Sequence, residues 1–101
     1  MRVVALVDDL MDRARVTAAI PDVEFGRTID ACADAEVVVI DLARYATSVA
    51  GVRACAPTAR IVAFGPHVDE ALLTRARADG ADLVTARSAF FRNPGTTVSG
   101  V

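Results

Sequence analysis

The 101-residue sequence has no lysine, one histidine, two cysteines and almost no net charge, and each shortage removes a class of function. Its 11 basic residues are all arginine, and against 13 acids they leave a net charge of -2. That balance provides no basic footprint for nucleic acid or an anionic membrane. Cys32 and Cys55 are too few to staple a secreted scaffold and lack metal-type spacing, so they read as reduced, small, half-buried side chains. Long apolar runs are also missing. Residues 37–40 make a run of strand length, and residues 3–7 stop at Asp8 and Asp9, so neither a bilayer span nor a secretory hydrophobic region is expected and the chain reads as cytoplasmic. Arginine as the sole long cation, beside 20 alanines and 15 valines, points to a compositional bias that alone explains any single arginine.

Hydrophobic residues make up 53% of the chain, enough for one core, and the length leaves no room for a second domain. Five short apolar runs alternate with segments of turn or helix character, the pattern of an α/β fold with a parallel sheet. Strands are expected at residues 3–7, 23–25, 37–40, 60–64 and 83–85. Asp9 is placed to cap a first helix with Asp12 in a short capping box and a stripe of Leu10, Ala14, Thr17 and Ala18, ending before Pro21. Residues 28–33 allow only a brief helix, residues 42–47 a loop, and residues 48–55 a helix ended by Pro57. Residues 69–79 give the clearest helix, with acids in its first turn, Leu72, Leu73 and Ala76 on one face, and Gly80 as its stop. Ser88 can cap one turn that Asn93-Pro94-Gly95 ends, which divides the chain into a domain of residues 1–92 and a tail of residues 93–101.

In an open parallel sheet, ligands bind beyond the carboxyl ends of the strands. Asp8 and Asp9 follow the first strand, Asp41 the third, Gly65-Pro66-His67 the fourth, and Arg87 lies just past the fifth. Three converging carboxylates repel one another, so they need a cation: a hard divalent metal or an internal arginine.

Three segments carry a resemblance. Val4-Ala5-Leu6-Val7-Asp8-Asp9, Val37-Val38-Val39-Ile40-Asp41-Leu42 and Ala78-Asp79-Gly80-Ala81-Asp82-Leu83-Val84 occur in the order found in response-regulator receiver domains, which the chain resembles from Arg2 to about Phe91. The resemblance implies a single doubly wound, flavodoxin-like five-stranded sheet of order 2-1-3-4-5, here with reduced second and fifth helices. It further implies Mg²⁺ held by Asp8, Asp9 and Asp41, with Asp41 accepting a phosphoryl group from a histidine kinase. Two positions depart from the family pattern. Gly65 stands where receivers carry a hydroxyl residue, and Arg87 where they carry lysine. A guanidinium can grip a carboxylate bidentately, so Arg87 is expected to lock Asp41 and leave a pseudo-receiver read through a fixed surface.

Phe90 and Phe91 stand where the fifth helix grows. Two adjacent phenylalanines on one turn are not expected to point into the core together, which suggests a homodimer through that side, unless the tail folds back over them. His67, the single histidine, lies on the functional edge, although a solvated loop histidine is the simpler account. The resulting expectation is a stand-alone, non-enzymatic signalling or regulatory protein whose partner is a histidine kinase or a downstream regulator. Two alternatives remain: a genuine phospho-accepting receiver, and a small-ligand flavodoxin-like module. Against the latter, no glycine-rich phosphate loop follows the first strand.

Overall fold

Runs of valine and isoleucine without a polar interruption belong in strands covered on both faces, because β-branched side chains fit a pleated surface and leave no face to water. The computed structural model describes residues 1–100, so Val101, the last residue of the expected tail, lies outside the described residues. The strands are β1 (Val3–Leu6), β2 (Glu24–Phe25), β3 (Val37–Asp41), β4 (Arg60–Gly65) and β5 (Leu83–Ala86). All pair in parallel, in the order β2-β1-β3-β4-β5. The α/β class and the 2-1-3-4-5 order are those expected. Among the described residues, no helix is long and apolar enough to cross a membrane.

Alternation along the strands divides the core in two. Val4, Leu6, Val38, Ile40, Ile61 and Ala63 face one layer, built from a 3-10 turn (Ile29–Cys32) with α2 (Leu42–Tyr45), α3 (Val49–Cys55) and α4 (Glu70–Ala78). Val3, Ala5, Val7, Val37, Val39, Val62 and Phe64 face the other, where α1 (Leu10–Ala19), α5 (Arg87–Arg92) and α6 (Pro94–Ser99) contribute Val16, Phe90 and Val98. The second crossover is reduced, as expected, to the 3-10 turn. Gly51 suits that economy, because the Ile29 side chain packs where a Cβ would stand, 2.4 Å from Ile29 Cδ1. Cys32 is buried and Cys55 half-buried, both as free thiols, and burial pushes the Cys32 thiol up to about 11.

Three local expectations are corrected. The stripe of Leu10, Ala14, Thr17 and Ala18 faces solvent, and the inner face of α1 is Asp12 and Val16. A charged side chain at the inward position hides that face from an apolar-periodicity reading. The expected loop at residues 42–47 is helical, since the Asp41 carboxylate accepts from Ala43 N and caps α2. The tail, finally, is a helix. Asn93 ends α5 and, in the same stroke, caps α6 by accepting from Thr96 N, with Pro94 in the first turn where its missing N–H costs nothing. Pro94 and Val98 are buried, so residues 93–100 pack into the domain rather than trail from it.

Candidate functional site

Register brings the acids together. Leu6 of β1 lies opposite Ile40 of β3, so Asp41 and the Asp8-Asp9 pair emerge side by side at the carboxyl rim of the sheet. Gly65 ends β4 and Arg87 follows β5 at the same rim. Each carboxylate then takes its own protein partner. Tyr45 Oη donates to Asp8 Oδ1 at 2.6 Å, and Arg13 Nη2 stands 4.0 Å from the same oxygen. Arg13 is fixed in turn by donating Nε to the Val7 carbonyl at 2.6 Å and by lying over the Phe25 ring. Burial, followed by the hydrogen bond to Asp8 and its charge, raises the Tyr45 hydroxyl above its ordinary range, which keeps it a donor. Asp9 Oδ1 accepts from Asp12 N at 2.9 Å, the N-cap of α1.

Asp41 is 5% exposed and accepts from Ala43 N at 3.0 Å. Burial raises its carboxyl above the usual range, against the opposing pull of the Ala43 N–H and the Arg87 charge. The expected lock between Arg87 and Asp41 does not form: Arg87 Nη2 donates instead to Asp12 Oδ1. The Asp12 side chain is 4% exposed and buried without another charged partner, whereas the equally buried Asp41 accepts from Ala43 N. The hydrogen bond from Arg87 to Asp12 also raises the guanidinium further above its ordinary value. Asp12 is the site residue that sequence reasoning placed only in a capping box. The signal for it was its position one turn before the buried Val16.

The three acids expected to hold a metal therefore share a rim but not a ligand set. Among the described residues, no three histidine, cysteine or acidic side chains are grouped to hold a metal ion. A hard divalent cation requires several convergent oxygens, and here Asp8 is turned to Tyr45, Asp9 to the start of α1 and Asp41 to the start of α2. In each case the contact engages Oδ1 of the carboxylate.

Gly65 packs closely against two leucines. A Cβ at Gly65 would lie 3.3 Å from Leu73 Cδ2 and 3.4 Å from both Cβ and Cδ1 of Leu42. The leucine that follows Asp41 is thus a contact neighbour of Gly65. His67 is exposed and lines a separate shallow cavity with Glu70, Leu73, Thr74 and Arg77.

The two phenylalanines expected to seek a second chain are accommodated within one. Phe90 is fully buried and stacks on Phe64 with centroids 4.7 Å apart. Phe91 meets both rings edge-on and is topped by the guanidinia of Arg15 and Arg87 at 5.2 and 4.9 Å. Phe90 is thus enclosed within the chain, while Phe91 stays half-buried beneath the two guanidinia.

No family model matches the chain, and no curated protein sequence does. Solved structures do resemble it. A response regulator from Burkholderia pseudomallei, determined with a phosphorylated aspartate and a calcium ion, superposes with a TM-score of 0.78 at 18% identity. The match covers 97% of this chain but only 66% of that one, so the chain spans just under two thirds of that protein. A CheY-like protein from Pseudomonas aeruginosa, TadZ, gives 0.75 at 20% identity over 99% of this chain and 94% of that one. The beryllofluoride-activated DrrB receiver domain gives 0.74 at 12% identity over 97% of both. With the strand order, the two helical layers and the acidic rim already described, these likenesses show that the chain has the receiver fold of response regulators.

Proposed function

We propose that the protein is a pseudo-receiver: a signalling module without a reaction of its own, read by a protein partner through a surface that phosphorylation does not reset. The observation that carries this reading is Gly65 at the end of β4, a residue with no side chain, packed against Leu42 and Leu73. A receiver switch requires a group at the end of β4 that follows the charge on the aspartate, and glycine has nothing to move. Support comes from the carboxylates, each held by its own neighbour, and from Arg87, which is committed to Asp12. A partner also finds an apolar foothold. Leu10 and Met11, at the start of α1 beside the acidic pair, are 79% and 75% exposed.

A genuine phospho-accepting receiver is the second reading, supported by the place of Asp41 at the end of the central β3. One experiment separates the two. The chain is incubated with acetyl phosphate and Mg²⁺, and its intact mass is followed over time. The pseudo-receiver stays unmodified, whereas a phosphoryl adduct mapped to Asp41 establishes the second reading.

A further inference from the structure

Beside the acidic rim, α1 and α5 flank an open surface cavity of about 410 Å³ lined by Arg15, Arg87, Ser88, Phe91 and Arg92. Three of its five lining residues are arginine, in a protein whose net charge is -2. The three cations are not equivalent. Arg87 spends one nitrogen and its charge on Asp12, while Arg15 and Arg92 have no ion-pair partner among the described residues. The cavity therefore carries two uncompensated positive charges. Its donors are unspent as well: Nε and Nη1 of Arg87, the guanidinia of Arg15 and Arg92, and the Ser88 hydroxyl make no hydrogen bond among the described residues.

We propose that this cavity is a binding site for a phosphomonoester dianion. A monoester phosphate carries roughly -1.5 to -2 charge near neutral pH and three acceptor oxygens. That matches two free guanidinium charges and a donor set divided among three arginines and a hydroxyl. A single carboxylate would leave one charge unanswered and has only two oxygens. Orientation is provided in advance: Phe91 holds Arg15 and Arg87 over its ring, and Asp12 fixes the Arg87 fork, so little side-chain freedom is lost on binding. A cavity of a few hundred cubic ångströms admits the phosphate with part of what it is attached to. The site shares no carboxylate with the phospho-acceptor position, so it stands whether or not Asp41 accepts a phosphoryl group.

The phosphate can belong to a free small molecule or to a phosphorylated side chain of a partner, and the test separates these. The full chain is titrated with AMP, with a phosphoserine hexapeptide and with the same peptide unphosphorylated, each at fixed ionic strength with acetate as the control anion. Binding is read by calorimetry and by amide shifts in α1 and α5. Saturable binding of AMP or of the phosphopeptide, weakened at least tenfold in both Arg15→Ala and Arg92→Ala, supports the site and names the source. Both variants leave the Arg87–Asp12 pair in place, and their thermal unfolding reports that they fold. Absence of saturable binding by either phosphate probe overturns the proposal, as does binding of equal strength in the wild type and the Arg15→Ala/Arg92→Ala double variant.

Discussion

Asp12 shows how much one inward-facing charge can decide. It occupies a helix position that an apolar residue would normally fill, and it is tolerated there because Arg87, at the start of α5 on the same face of the sheet, reaches it. Arg87→Ala should cost about 2 kcal/mol, because it leaves a buried carboxylate without its charged donor, discounted for the half-exposed guanidinium. Urea unfolding measures this, and the cost should shrink by about 1 kcal/mol or more in an Asp12→Asn background, since contacting residues couple. Equal costs in both backgrounds would show that Arg87 acts elsewhere. Asp41 makes the opposite prediction. Burial raises its carboxyl, so the folded state holds this proton more tightly than the unfolded chain. Its contribution favours folding below the ordinary carboxylate pKa of about 3.9 and is lost as the pH rises through the raised value. Asp41→Asn keeps an acceptor for Ala43 N and removes the charge. The variant should melt higher than the wild type near neutral pH, with the gap closing as the pH falls toward the ordinary carboxylate range; a lower melting temperature at neutrality would show Asp41 to be stabilised by its surroundings.

At the scale of elements, β4 and α6 carry the departures from a working receiver. Gly65→Thr should destabilise by about 2 kcal/mol, because Leu42 and Leu73 would have to give way to a branched side chain. If it is neutral in a thermal melt, Gly65 does not pack against the two leucines as described. Val98→Ala should cost about 2 kcal/mol, since Val98 is fully enclosed against the layer that also holds Phe90 and Val16. A change near zero would return residues 93–100 to the status of a loose tail. These elements also mark where the sequence was legible. The strands were, because uninterrupted valine and isoleucine have few alternatives, and so was α4, whose cap at Asp69 and inward Ala76 follow the helical period. α6 was not. Asn93-Pro94-Gly95 is equally a stop and a start, and only the apolar ground beneath Val98 selects the start. The inner face of α1 was obscured for a related reason, as its partner lies 75 residues away.

For the molecule as a whole, the rim of acids was readable because parallel register forces Asp8, Asp9 and Asp41 to one edge. The side-chain choices at that rim were not, since the partner of Arg87 is a carboxylate on α1, 75 residues away, rather than the rim acid nearest in the family pattern. The result is a receiver-fold scaffold whose acidic corner is held by internal partners and whose β4 terminus lacks a moving part. The most direct test of that claim is a set of amide spectra of the full chain recorded while Mg²⁺ and beryllofluoride are added together. The account predicts that the resonances of Asp41, Gly65, Ala86 and Arg87 keep their positions to the end of the titration. A saturable shift that begins at Asp41 and spreads through β4 into α4 would show a functioning phosphoryl switch and contradict it.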